Sequence, residues 1–170
     1  MSCIVLPYYQ DGSMADFDYR NTTNGIDILK SLLKSVFICM QKAFEVGVLH
    51  NDTHPRNILI VKTQTEELYG IKLFGYKPVF MDFENALSIT PDKMNIGFVY
   101  KDFDRLLSGL RFENKVQLVN ASFIGHVLET LGSKGVSFEE ATPIIMKYID
   151  DLTLNTIQTS RSYVYDPSVF

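Results

Sequence analysis

Residues 47–60 read Gly47-Val48-Leu49-His50-Asn51-Asp52-Thr53-His54-Pro55-Arg56-Asn57-Ile58-Leu59-Ile60, a polar loop that gathers imidazoles, a carboxylate and amides between two apolar stretches. A further carboxylate, Asp82, ends the apolar run Val79-Phe80-Met81. His50, Asp52 and Asn57 stand in an H-x-D-x-x-x-x-N spacing, which suits phosphoryl transfer. On the loop alone, His50 and Asp52 also read as a solvated turn and Asn57 as a strand cap. That bland reading leaves the second apolar run ending in Asp82 without a purpose.

Together with Val79-Phe80-Met81-Asp82-Phe83-Glu84, taken as a strand followed by a D-F-G-like element, the loop resembles the protein-kinase-like superfamily. The resemblance implies that Asp52 orients the substrate hydroxyl, with His50 and His54 beside it in the catalytic loop. It implies that Asn57 and Asp82 bind magnesium and, through it, the phosphates of ATP. Hard oxygen ligands would then converge on one ion from one side of the site, with phosphate and water completing the shell. Residues 1–13 would be a remnant of the fifth strand and hinge, with Tyr8 at the adenine edge. An aspartate beneath the loop would bond its backbone; Asp102 is the first choice and Asp104 the alternative, while an exposed acidic first turn of a helix explains either residue equally simply.

The chain also departs from the ordinary kinase pattern. Glu84 replaces the glycine of D-F-G, and Asn51 replaces the arginine that clamps an activation-loop phosphate, so switching by such a phosphate is not expected. There is no A-P-E element, and His54 stands where ordinary protein kinases carry lysine. The D-x-H-P-x-N pattern has the look of aminoglycoside phosphotransferases, lipopolysaccharide kinases and haspin-type protein kinases, and the choice among these branches stays open. No glycine-rich loop, V-A-I-K lysine or glutamate helix precedes the matched segment. The expectation is therefore a C-terminal lobe with its N-terminal lobe absent, an ATP-dependent Ser/Thr-type kinase needing that lobe in trans. The alternative function is a pseudokinase-like scaffold or assembly subunit that binds another protein through the exposed cleft face.

The elements that must position these residues follow from periodicity. Apolar residues at Ile26, Leu29, Leu32, Leu33, Val36, Phe37, Met40, Ala43 and Phe44 predict a helix with one buried face, capped by Thr23 or Asn24 and closed by Gly47. Residues 3–6 read as a strand, as do 58–61 and 79–81, with the last two paired and a long link at 62–77. The kinase resemblance, rather than periodicity, implies a buried helix that starts near Asp102. Another is marked by Val116, Val119, Phe123, Val127 and Leu131 and closed by Gly132, with His126 as a packing or surface residue. A last helix starts at Thr142-Pro143 with Ile144, Ile145, Tyr148, Ile149 and Leu152 inward. Residues 155–170 read as an irregular tail or a contact for another chain. The predicted class is α+β, mainly α, as one domain over 1–170.

Composition narrows the partners. With 46 % apolar and 21 % charged residues the 170-residue chain is expected to be globular, and a net charge of -4 with scattered basic residues argues against nucleic acid. No stretch reaches membrane-spanning length, and no signal peptide is recognisable, so an intracellular, cytoplasmic location is expected. Cys3 and Cys39 read as buried free thiols. An abundance of Asn, Ile, Lys, Phe and Tyr suits an AT-rich genome such as that of a large DNA virus. A protein partner is expected at the uncovered cleft.

Overall fold

The computed structural model describes residues 8–113, 118, 119 and 121–154. In chain order these form helix α1 (Gly25–Glu45), strand β1 (Val48–Leu49), a 3₁₀ turn (Pro55–Asn57), and strands β2 (Ile58–Lys62), β3 (Glu67–Leu68), β4 (Ile71–Lys72), β5 (Tyr76–Phe80) and β6 (Leu87–Ser88). Then come α2 (Ile96–Glu113), β7 (Leu118–Val119), α3 (Ala121–Lys134), α4 (Phe138–Asp150) and β8 (Thr153–Leu154). Among the described residues the strands form two-stranded antiparallel ladders, β1–β6, β2–β5, β3–β4 and β7–β8, and Ser13 bridges to Leu59 of β2. The expected α+β class, mainly α, holds for the described residues. The predicted strand at 3–6, Val116 in the predicted third helix, and the tail at 155–170 lie outside them.

The apolar stripe of α1 is the floor of the core: Leu29, Leu32, Leu33, Val36 and Phe37 have no exposed surface. Against it pack Tyr100 and Phe103 of α2 and Phe138 of α4, with ring centroids 6.4, 5.1 and 6.1 Å from that of Phe37. Such buried aromatics each contribute on the order of 2 kcal/mol through area removed from water. Tyr100 keeps its hydroxyl satisfied by donating to the Val136 carbonyl at 2.6 Å. Burial, reinforced by Glu140, pushes its phenol well above the ordinary tyrosine range.

Several boundaries differ from the sequence reading. Asn24, one of the two expected caps, holds the N-cap position of α1, but it sits in the left-handed region (φ 58°) and makes no side-chain cap bond. Gly25 governs this turn instead, because a Cβ there would fall 1.7 Å from the Tyr19 carbonyl oxygen. The second strand runs over 76–80 rather than 79–81, since Pro78 fits an edge position opposite Ile60. The long link folds as the β3–β4 hairpin, turned by Tyr69 and Gly70, both at positive φ.

Helix α2 starts at Ile96, so Asp102 lies in its interior, not near its start. Val119 belongs to β7, and α3 runs through Gly132 to Lys134. Gly132 is there for close packing: a Cβ on facing Gly97 would meet its carbonyl oxygen at 3.0 Å. Gly135, at φ 58°, closes the helix. Helix α4 starts before Pro143, with Ser137 accepting a bond from the Glu140 N–H, and leaves Ile144 exposed. His126 lies exposed on α3, and Cys39 is a half-buried free thiol raised by burial, an effect that Lys42 partly opposes. No helix of the described residues is long and apolar enough to cross a membrane.

Candidate functional site

Helix α1 delivers the chain to the polar loop through Gly47, whose φ of 84° reverses the backbone past the helix end. After β1 the loop starts at His50, which is 5 % exposed. Its Nε2 lies 2.7 Å from the Met81 carbonyl oxygen, and its Nδ1 accepts from the Asp52 N–H at 3.3 Å. These two partners assign the Nε2–H tautomer. The ring packs edge-on to Phe83, with centroids 4.7 Å apart. His50, a catalytic candidate by sequence, is thereby spent on backbone at both nitrogens and acts as a strut between the loop and the end of β5.

Asn51 adopts φ 63°, a conformation asparagine tolerates better than most residues. That twist presents successive loop amides to one acceptor: Asp102 takes the Asn51 N–H on Oδ2 and the Thr53 N–H on Oδ1, each at 3.0 Å. The Thr53 hydroxyl donates to Oδ2 at 2.7 Å. Asp102 is therefore the residue that bonds the loop backbone. Asp104 is occupied elsewhere, against Gly125 of α3. Arg105 completes the mount by donating from Nη1 to Asp102 and to the Asn51 carbonyl oxygen.

Beyond Asp52 the chain turns through His54-Pro55-Arg56-Asn57. His54 caps this turn, its Nδ1 accepting from the Arg56 N–H, and its Nε2 lies 3.9 Å from Asp52 Oδ2. Asn57, 8 % exposed, reaches back with Nδ2 to the Asp52 carbonyl oxygen (2.9 Å) and to Asp52 Oδ2 (3.3 Å). Strand β2 follows directly and pairs with β5, from Ile58 opposite Phe80 to Lys62 opposite Tyr76. The Met81 N–H extends the ladder by donating to the Asn57 carbonyl oxygen at 2.8 Å. Met81 is thus bonded to both His50 and Asn57, which ties the next residue, Asp82, to the end of the loop. Asp82 is exposed and takes φ 55°. Positive φ outside glycine costs roughly 1 kcal/mol or more and concentrates at functional positions.

His50, Asp52, His54 and Asn57 are thus connected side chain to side chain or through one backbone, with Asp82 joined through Met81. Tyr8 is 89 % exposed and joins none of these hydrogen bonds. The segment just after it does pair with β2, through Met14 N–H to the Ile58 carbonyl and Ile60 N–H to the Gly12 carbonyl. Sequence reasoning missed Thr53, Asn85 and Arg105. Asn85 donates from Nδ2 to Asp52 Oδ2 at 3.3 Å. Arg105 carried a usable signal, a cation three residues after a helical aspartate. Thr53 and Asn85 carried none, because their partners lie on other elements.

Asn57 and Asp82 carry hard oxygen donors, and no group of three or more His, Cys, Asp or Glu that could hold a metal ion occurs among the described residues. With its Nδ2 committed to Asp52, Asn57 leaves an amide oxygen, and Asp82 offers a solvent-facing carboxylate that accepts from the Glu84 N–H at 3.4 Å. An ion held here would draw the rest of its shell from phosphate and water. A small apolar cavity of about 90 Å³ lies behind His50, among Cys39, Met40, Leu49, Phe80 and Phe83. A larger one of about 510 Å³, beside Phe44, Ile96 and Phe138, contains none of the site residues. Comparison with protein-family models, curated proteins and solved structures finds no match to this chain.

Proposed function

We propose that this chain is the C-terminal-lobe part of a protein-kinase-like phosphotransferase that transfers a phosphoryl group from ATP to a protein Ser/Thr hydroxyl. One observation carries the reading: the Asp52 loop is mounted from beneath by Asp102 and laced to the β2–β5 ends through Asn57 and Met81. A solvated turn needs no such mount. In this function Asp52 orients the acceptor hydroxyl and takes its proton. Asn57 and Asp82 hold magnesium, which when bound with ATP supplies charge neutralisation at the transferred group. His50 fixes the loop to the strand, and His54 stands beside the Asp52 carboxylate. The phosphates' upper wall, a glycine-rich loop and a lysine in the kinase pattern, has no counterpart among the described residues. We assign it to a separate segment or partner chain.

A second reading, a pseudokinase-like scaffold, is favoured by one feature. Phe83 and Leu87 are 55 % and 49 % exposed beside the site, an apolar surface suited to a protein contact.

The two readings separate in a paired measurement of magnesium–ATP binding by calorimetry and phosphate transfer, with any copurifying chain retained. Asp52→Asn should leave nucleotide binding intact and lower transfer by about 10²-fold or more, whereas Asp82→Asn should weaken both. Wild-type protein that neither binds nor transfers with its partner present would end the phosphotransferase reading.

A further inference from the structure

Asp52 receives help from a direction the catalytic loop does not supply. Asn85 sits on the turn after Asp82, closed by the Ala86 N–H donating to the Phe83 carbonyl at 3.0 Å. Its Nδ2 donates to Asp52 Oδ2 at 3.3 Å, and its carbonyl oxygen accepts from Asn51 Nδ2 at 3.2 Å. Asn57 donates to the same carboxylate oxygen, also at 3.3 Å. Two amide groups, one from the loop and one from the turn after β5, therefore converge on Oδ2 from different elements.

We propose that Asn85 is a positioning residue that clamps the Asp52 carboxylate, turning Oδ2 inward and leaving Oδ1 for the acceptor hydroxyl. The catalytic use of the clamp rests on the phosphotransferase reading; the clamp itself does not. The carboxylate torsion of aspartate is broad, and its two-fold flip merely exchanges equivalent oxygens, so an unheld Asp52 would sample a wide range of tilts. Donors on a single oxygen remove that freedom, and an orientation kept before substrate arrives lowers the barrier to the chemical step without changing ground-state affinity. The Asn51–Asn85 bond adds a second function to the geometry. It ties the turn bearing Asp82 to the loop bearing Asp52, so the two acidic groups keep their relative placement.

The test uses the full chain with any copurifying partner, and three substitutions. Asn85→Asp is isosteric but replaces the donor with a carboxylate facing Asp52, Asn85→Ala removes the donor, and Asn85→His restores a donor. The expected result is a fall in kcat of about tenfold or more for Asn85→Asp and Asn85→Ala, with KM for ATP within about twofold, unchanged thermal unfolding, and partial recovery in Asn85→His. An unchanged kcat in the first two variants overturns the proposal. A second measurement is independent of activity: the Asn85 side-chain amide resonances should shift in Asp52→Ala and stay put in His126→Ala, a change on the exposed face of α3. Resonances indifferent to Asp52→Ala also overturn the clamp. Shifted resonances in a protein that transfers no phosphate leave the clamp standing and remove only the phosphotransferase reading.

Discussion

Asp102 is 3 % exposed and accepts four hydrogen bonds, from the Asn51 and Thr53 N–H groups, the Thr53 hydroxyl and Arg105. A buried carboxylate is costly unless its lone pairs are met, and here Oδ1 takes Arg105 and the Thr53 amide while Oδ2 takes the Asn51 amide and the Thr53 hydroxyl. The residue thereby turns a flexible polar loop into a fixed one. Removing it strands several donors at once, which is worse than removing a single partner. Asp102→Ala is expected to cost about 3 kcal/mol or more in urea unfolding, against about 1 kcal/mol for Thr53→Val, which deletes one bond and keeps the shape. Equal costs for the two substitutions would show that Asp102 is not the hub.

The elements hold the loop by contact as well as by hydrogen bonds. Gly109 of α2 lies against Pro55, where a Cβ would come within 2.4 Å of the ring. By helix propensity alone Gly109→Ala should stabilise by about 1 kcal/mol. The proline ring has nowhere to retreat, so the expected outcome is instead a loss of about 1–3 kcal/mol on unfolding, with loop amide resonances shifted. A stabilised variant would refute the contact. This contact also marks a limit of what the sequence reveals. The α1 stripe, the apolar run of β2 and the H-x-D-x-x-x-x-N cluster were legible because each is a local pattern, whereas the β2–β5 pairing came through the resemblance and the first half of β5 lay hidden by Pro78. Asp102 was legible only through the resemblance, since nothing local separates it from Asp104. Glycines were the least legible: Gly132 read as a helix stop but serves helix–helix approach, and Gly25 and Gly109 answer to neighbours distant in sequence or folded back. The start of α4 was missed for the opposite reason. Ser137 with Glu140 is a local cap signal, and Thr142-Pro143 a few residues on carries a competing start signal of its own.

Across the whole molecule, α2 is the shared wall, packed on α1, α3 and the loop turn, and its contact with α3 contains an acidic group under strain. Asp104 faces Gly125, where a Cβ would meet its Oδ1 at 2.7 Å. Burial raises its carboxyl above the ordinary value of 3.8, Glu129 adds to the rise, and Arg111 opposes it. The folded state therefore holds this proton more tightly than the unfolded chain does. Stability linked to Asp104 is fully present below the unfolded value and is lost as pH rises through the folded one. Once pH has risen through the folded value, the charged carboxylate works against the fold. Asp104→Asn keeps the shape without the charge, so it should unfold at a higher temperature than wild type at pH 7. The gain should shrink on acidification and vanish only well below the ordinary value of 3.8, where the carboxyl is protonated in the folded and the unfolded chain alike. Thermal unfolding of the two proteins between pH 3 and pH 8 measures this directly. A gain that is constant with pH would locate its origin in packing, and a loss at pH 7 would show that the Arg111 attraction outweighs burial and Glu129.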